Sequence, residues 1–173
     1  MNTINIQADV LRVFLIKIFS ALGCDDVNAS GIAEGVIEAD LRGHRIQGTD
    51  HIYSIVADFK AGRLNGRARP RIARETAATA QIDGDGVEGH IGGRFACDVA
   101  IKKAKDAGAA SVGLVRAGDI FMVGAYVERI ARAGLVGMAC TNATPVRVHP
   151  PGGIDPMLGT NPIGFGLPSE GEP

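Results

Sequence analysis

The sequence predicts an α/β protein in which a helical N-terminal segment is followed by a mixed sheet flanked by helices. Apolar residues recur at helical spacing through residues 9–61, and the basic, Gly- and Pro-punctuated segment 63–70 then interrupts the pattern. Beyond it, short apolar strands alternate with helical patterns. We therefore divide the chain into a helical segment, residues 1–70, and an α/β sheet domain, residues 71–173.

Three helices are predicted in the first segment from apolar spacing and from capping residues at their ends. The first helix covers 9–22 and is ended by Gly23. The second begins at Asp25 or Asp26 and ends at 42–43, and the third covers 49–61. In the second segment we predict helices over 95–107 and 123–133. Strands are predicted over 71–82, 111–115, 135–141 and 163–167, with a tight glycine loop at 84–93 and a Pro- and Gly-rich excursion at 145–162.

The composition excludes several classes of function. With 46% apolar and 21% charged residues, the 173-residue chain has the composition of a soluble globular protein. Eighteen basic and 19 acidic residues give a net charge of −1, and without a basic run a nucleic acid or an anionic membrane is not an expected partner. Because no membrane span or signal peptide is recognisable, we expect a cytoplasmic protein.

Residues 84–89 match the pattern GxGxxG, and Asp106 lies near the offset of the acidic residue that accompanies it in dinucleotide-binding folds. The preceding residues 79–83, Thr-Ala-Gln-Ile-Asp, are too polar for a buried central strand. We therefore favour a turn with positive φ over a dinucleotide-binding loop.

The cysteines Cys24, Cys97 and Cys140 are far apart and lack CxxC spacing, so we expect free, buried thiols and neither a disulfide framework nor a structural zinc site. Among the histidines, His44 and His51 would share a helical face with Gln47. The residues Arg-Gly at 42–43 argue against a continuous helix there, and because no third ligand is evident we predict no metal site.

Four segments carry a resemblance to a known family: 39–44 (ADLRGH), 140–145 (CTNATP), 151–153 (PGG) and 158–163 (LGTNPI). They resemble signatures of the type-2 malate/L-lactate dehydrogenase family, in the family's order. The resemblance implies an NAD(P)-dependent oxidoreductase that reduces 2-keto acids or related imines. It also implies an α/β fold without a Rossmann domain, and a dimer. By the same resemblance, Gly159, Thr160 and Asn161 are expected to contact NAD or NADP, since hydroxyl and amide groups suit a ribose or a carboxamide.

The chain departs from the family at three polar positions. Where the family carries Ser-His-Gly, residues 46–48 read Ile-Gln-Gly, and Gln47 cannot exchange a proton near neutral pH. His51 stands where the family has an arginine suited to a carboxylate. A further family histidine falls on Asp119 or Ile120, depending on a one-residue gap.

These departures define the predicted site. His44, Gln47 and Asp119 are the catalytic candidates, with His44 close enough in sequence to take over proton transfer from position 47. Arg42 and His51 are the candidates for binding a small-molecule substrate. The expected activity is therefore a dehydrogenase reaction with altered catalytic residues.

Members of this family are longer, and we expect the second half of the fold on a companion chain, with paired halves forming a symmetric assembly. Several strand residues would otherwise lack cover: Val112, Leu114, Leu135, Val136, Met138, Ile163 and Phe165.

Two alternatives stay open. One is an amide or ester hydrolase whose N-terminal nucleophile begins the companion chain after processing, with Asp119, His51 and the amides of 152–153 orienting that nucleophile and binding an oxyanion. The other is a non-catalytic subunit on an inherited fold.

Overall fold

The computed structural model describes residues 4–143 and 146–171. Thr144 and Pro145, which belong to one of the family-like segments, and Pro173 lie outside the described residues. The helices are α1 Ala8–Ala21, α2 Asp26–Leu41, α3 Ile52–Lys60, α4 Gly89–Ala107 and α5 Val123–Arg132. The strands are β1 Arg71–Glu75, β2 Thr79–Val87, β3 Ser111–Ala117, β4 Gly137–Cys140 and β5 Ile163–Gly166. The predicted α/β class is confirmed.

Helices α1 and α2 pack as an antiparallel pair whose core is closed by α3. The fully buried side chains at its centre include Leu15, Phe19, Ile32 and Val36. Helix α2 begins where predicted, because the Asp25 carboxylate accepts the backbone N–H of Asn28 at 3.0 Å.

The crossing segment 63–70 is attached to this helix pair. The Asn28 side chain, 2% exposed, donates to the carbonyls of Gly66 at 3.0 Å and Ala68 at 3.2 Å. These bonds satisfy the carbonyl groups of Gly66 and Ala68, so segment 63–70 has a fixed path toward the sheet.

The first sheet is three-stranded, in the order β1-β2-β3, with β1 antiparallel and β3 parallel to the central strand β2. Helix α4 connects β2 to β3 and packs on both. Burial along β2 alternates, with Ala80, Ile82 and Gly84 buried and the polar residues between them half-buried. Strand β2 is central in this sheet, but only one of its faces lies in the core, which agrees with the prediction that residues 79–83 are too polar for a central strand buried on both faces.

The predicted glycine loop at 84–93 is also replaced by regular structure. Strand β2 continues to Val87 and helix α4 starts at Gly89. The positive φ expected in this stretch is present at Asp85 (56°) and Gly86 (75°), where the pairing of β2 with β3 shifts register. The glycines thus form a bulge inside the strand, and no turn separates strand from helix.

In the described part of the chain, the second sheet consists of β4 and β5, antiparallel to each other. Helix α5 packs on both strands, and a Cβ at Gly137 would approach Ile130 of that helix to 2.8 Å. On the strands, Met138 and Phe165 are 61% and 67% exposed. The predicted strand 135–141 is shorter than expected and carries exposed residues.

The cysteines divide between these regions. Cys24 and Cys97 are free and buried as predicted, and burial raises the pKa of each thiol to about 11. Cys140 is free but exposed, so the expectation that all three are buried is wrong for it. Among the described residues no helix is both long and apolar enough to cross a membrane.

Candidate active site

The end of α2 shows why the segment 39–44 has its sequence. Gly43 has φ 79°, its N–H donates to the Asp40 carbonyl, and the His44 N–H donates to the Ala39 carbonyl at 2.8 Å. This pair of bonds is a Schellman motif, which ends the helix and redirects the chain. The Asp40 carboxylate then accepts the N–H of Thr49 at 3.1 Å. The segment therefore fixes the path of the residues that follow it.

The predicted substrate ligand Arg42 ties α2 to α5. Its guanidinium donates to Glu128 at 2.8 Å and lies 3.6 Å from Glu38. The hydrogen bond from Arg42, followed by that from Arg132, lowers the pKa of Glu128. A substrate carboxylate would have to compete with Glu128 for this group, and the assignment of Arg42 to substrate binding stays a prediction.

Residues 44–51 do not form one helical face. Two 3-10 turns, Arg45–Gln47 and Thr49–His51, precede α3, so His44, Gln47 and His51 are not placed as an α-helix would place them. His44 is exposed, and Gln47 is half-buried.

His51, in contrast, is held in place on two sides. Its Nδ1 lies 3.2 Å from the Ile46 carbonyl oxygen, and its ring meets the Phe121 ring edge to face, with centroids 4.7 Å apart. A carbonyl can only accept, so Nδ1 carries the hydrogen and the neutral ring presents an Nε2 lone pair. His51 is half-buried.

Phe121 joins this histidine to a second one. The His90 ring stacks on Phe121 at 4.3 Å with an interplanar angle of 6°. The Asp119 carboxylate accepts the Phe121 N–H at 2.9 Å. We call His51, Glu88, His90, Asp119 and Phe121 the Phe121 cluster. It brings together one predicted catalytic residue, Asp119, and one predicted substrate ligand, His51.

Sequence reasoning missed Glu88 and His90. Glu88 is the N-cap of α4 and only 2% exposed; one carboxylate oxygen accepts the His90 N–H at 2.9 Å and the other faces His90 Nδ1 at 2.7 Å. Within the residues that the structure describes, Nε2 of His90 is buried and has no hydrogen-bond partner. The sequence predicted this helix to start at 95, so Glu88 was not recognised as its N-cap. An acidic N-cap with a histidine two positions on is the signal that could have indicated the pair.

The turn that presents Phe121 is strained and firmly held. Phe121 has φ 56°, a conformation that bulky residues rarely adopt. The Tyr126 hydroxyl donates to the Ile120 carbonyl at 2.6 Å, and a Cβ at Gly89 would overlap the Asp119 carbonyl. Burial raises the pKa of Tyr126 well above its usual value, so the phenol keeps its proton and remains a donor.

The predicted cofactor ligands lie in the segment between β4 and β5. Gly159 is buried and a Cβ there would overlap the Ala143 carbonyl, so this position requires glycine. The Asn161 side-chain oxygen accepts the Ala143 N–H at 2.9 Å, and Asn161 itself has φ 42°. Thr160 is exposed. These bonds hold the loop in shape and leave the Thr160 hydroxyl and the Asn161 amide nitrogen toward solvent or a ligand.

The described part of the chain contains no group of three His, Cys, Asp or Glu side chains arranged to hold a metal ion.

Comparison with known proteins gives this geometry a family. A sequence model described as malate/L-lactate dehydrogenase matches residues 6–173. The malate dehydrogenase of Pyrococcus abyssi is 33% identical over 172 residues, which are 99% of this chain and 47% of that protein. The L-sulfolactate dehydrogenase of Methanocaldococcus jannaschii is 33% identical over 152 residues, 88% of this chain and 44% of that protein.

The structural comparison agrees with the sequence comparison. The solved malate dehydrogenase of Entamoeba histolytica superposes with a TM-score of 0.92 at 33% identity, covering 98% of this chain and 47% of that one. The chain spans about half the length of these relatives. Sequence and fold together show that it belongs to the malate/L-lactate dehydrogenase family.

Proposed function

We propose that this chain is part of an NAD(P)-dependent oxidoreductase that reduces a 2-keto acid or a related imine, and that it supplies residues for proton transfer and for binding substrate and cofactor. Its relatives include malate and sulfolactate dehydrogenases, and both names denote enzymes of 2-hydroxy acids. The family supports the reaction class, and the altered residues of this chain require a different assignment of roles.

The observation that carries the proposal is the fixed orientation of His51. Reduction of a carbonyl adds a proton to its oxygen, and a histidine can supply that proton near neutral pH. Gln47 cannot do so. The Ile46 carbonyl fixes the His51 tautomer, so a protonated Nε2 can donate to the substrate oxygen and the neutral ring can later recover the proton. We assign proton transfer to His51, whereas His44 is exposed and has no such orienting contact to another described residue.

The cofactor assignment rests on the segment after β4. Bound NADPH or NADH would supply the hydride. A hydroxyl and an amide suit the ribose and carboxamide groups of such a cofactor. Thr160 and Asn161 would therefore hold it, and Asn161→Ala should weaken binding.

The test is a cofactor titration by fluorescence, followed by turnover with a panel of 2-keto acids. We expect saturable binding of one nicotinamide cofactor and slow oxidation of its reduced form by at least one keto acid. His51→Gln should lower kcat by about a hundredfold with cofactor binding unchanged. His44→Gln is the matched control and should behave like the unchanged chain. If no cofactor binds saturably, the proposal fails.

We also propose that protein equivalent to the remaining half of the relatives covers the exposed face of the β4–β5 sheet. Met138, Ile163 and Phe165 are each more than half exposed, and a two-stranded sheet is marginal without packing on it. Light scattering should show self-association of the chain alone, reduced by Met138→Ser with Phe165→Ser. A monodisperse 18.0 kDa monomer would contradict this proposal.

A further inference from the structure

We propose that Glu88 and His90 are positioning residues for His51, acting through the ring of Phe121. The inference rests on the proposed function, because it assigns a second layer of residues to the group that we assign to proton transfer. It is carried by a continuous set of contacts that joins three separate parts of the chain.

The first step is the fixed plane of the His90 imidazole. Nδ1 faces the Glu88 carboxylate at 2.7 Å, and a Cβ at Gly35 of helix α2 would overlap the same ring. His90 is 6% exposed. A carboxylate buried as deeply as that of Glu88 is costly unless it is hydrogen-bonded, and both of its oxygens have a partner in His90. The ring therefore has one orientation.

The second step transfers this orientation to Phe121. The two rings are parallel to within 6° at 4.3 Å, and Phe121 is 7% exposed. Its strained backbone, φ 56°, is held by Asp119 and by the Tyr126 contact to Ile120. Such strain persists only where surrounding contacts over-determine it, and it concentrates at functional sites.

The third step connects Phe121 to His51, whose ring meets it at an interplanar angle of 84°. The other constraint on His51 is the Ile46 carbonyl. One contact fixes a nitrogen and the other fixes the ring face, so together they determine where Nε2 lies. If Phe121 were displaced, the hydrogen bond to the Ile46 carbonyl would be the one remaining constraint on the His51 ring.

The unpaired Nε2 of His90 argues against a purely structural ring. A phenylalanine at position 90 would also stack on Phe121, without placing an unsatisfied polar atom in the core. Native proteins keep very few such atoms, and those that they keep call for an explanation. Here the imidazole is the side chain that can both stack on Phe121 and be locked in rotation by Glu88.

The experiment compares His90→Leu, which removes the planar ring, with His90→Phe, which keeps it, in the full chain. The first readout is the NMR signals of the His51 ring, which are shifted by the nearby Phe121 ring. In His90→Leu these signals should move toward the values of a solvent-exposed histidine. In His90→Phe, which keeps the stacked ring but loses its hydrogen bond to Glu88, they should move by clearly less than in His90→Leu.

The second readout is turnover. His90→Leu should lower kcat about tenfold, because a misplaced group loses rate even when its chemistry is intact. KM should change by less than about twofold, since substrate binding itself is not altered. His90→Phe should restore part of kcat, because it restores the stacking on Phe121 without the hydrogen bond to Glu88. If His90→Leu does not fold, the isosteric Glu88→Gln replaces it and should shift the His51 signals in the same direction by a smaller amount.

The inference is overturned if His90→Leu, or Glu88→Gln in its place, leaves the His51 signals unchanged, or if His90→Phe shifts them as far as His90→Leu does. The NMR readout does not need turnover. If the unchanged chain shows no activity, the proposed function fails while the signals of His51 still decide the positioning role.

Discussion

The Phe121 cluster and the β4–β5 sheet differ in how completely the chain surrounds them. His90 is enclosed by its own helix, by α2 and by Phe121, and Glu88 is 2% exposed. In the β4–β5 sheet, α5 packs on the strands while Met138 and Phe165 remain 61% and 67% exposed. Both regions carry residues expected at the site, but the Phe121 cluster has a buried centre formed by Glu88, His90 and Phe121.

This difference separates two kinds of organisation. Side chains of the Phe121 cluster are preorganised, because packing and hydrogen bonds already determine their orientation. The loop that holds Thr160 and Asn161 is attached to a sheet whose outer face is bare, so its stability should depend on protein that covers that face. Substitutions should therefore change the free energy of unfolding strongly in the Phe121 cluster and weakly in the β4–β5 sheet.

The largest effect is expected from Gly89→Ala. A Cβ at this position would overlap the backbone carbonyl of Asp119, and neither segment can move without breaking the turn at Phe121. We expect a loss of more than about 4 kcal/mol in the free energy of unfolding, or failure to fold. Chemical denaturation followed by circular dichroism measures it.

Gly124→Ala is the matched control in helix α5. Only the Met122 side chain comes near a Cβ there, at 3.9 Å, and alanine favours helices. This variant should be stabilised by about 0.5 kcal/mol. Equal losses in both variants would remove the argument for close packing at Gly89.

A truncation pair compares the core with the bare sheet face. Ile32 is fully buried between α1 and α2, so Ile32→Ala should lower the free energy of unfolding by about 3 kcal/mol. Met138→Ser should change it by less than about 0.5 kcal/mol, because the side chain is mostly in solvent. A large loss from Met138→Ser would show that the β4–β5 face is already covered.

Acid should weaken the first sheet through Asp83. This carboxylate accepts from Arg116 of β3 at 2.7 Å and from Arg71 of β1 at 3.0 Å. The hydrogen bond from Arg116, above all, lowers the pKa of Asp83 in the folded chain. A lowered folded pKa means that the stabilisation is complete above the unfolded value and is lost as the pH falls through the folded value.

The measurement is urea unfolding at a series of pH values from about 7 down to about 3. Asp83→Asn should flatten the acid side of the curve. Asp155→Asn, in the exposed segment before β5, is the matched control and should leave the curve unchanged. A curve of the same shape in all three proteins would mean that Asp83 contributes nothing.

Thiol labelling perturbs the fold least, because it replaces no residue of the Phe121 cluster. Burial raises the pKa of Cys24 and Cys97 to about 11, whereas Cys140 on β4 is exposed. One thiol should react rapidly with an aromatic disulfide reagent near about pH 8, and two should react only on unfolding. Cys140→Ser should abolish the fast phase. A fast phase that persists in this variant would show that the buried thiols are accessible.

The sequence allowed helices α1 and α2 to be placed closely because local signals determine their ends. Asp25 caps α2 and glycines end both helices. The predicted strand 71–82 is wrong in its bounds, because the structure divides it into β1 and β2 and continues β2 to Val87. Its Thr- and Ala-rich sequence alternates only partly, so hydrophobicity alone did not mark these ends.

The Phe121 cluster illustrates what sequence alone could not supply. Asp119 and His51 were selected by comparison with a family pattern, but their meeting at Phe121 depends on the packing of three distant segments. Glu88 fills a variable position of the GxGxxG match at 84–89, and His90 lies just outside it. Only the folded chain shows that their contact is buried.

Hydrogen exchange followed by mass spectrometry tests the contrast between the two regions most directly. We expect the amides of 87–93 and 119–127 to exchange slowly, with the global unfolding of the chain, because Glu88, His90 and Phe121 are buried and hydrogen bonds hold the turn at Phe121. Those of 137–143 and 158–166 should exchange much faster, through local opening of the uncovered β4–β5 sheet. Equal protection of the two regions, or faster exchange around Phe121, would contradict the claim that the Phe121 cluster is preorganised and that the outer face of the β4–β5 sheet lacks packing.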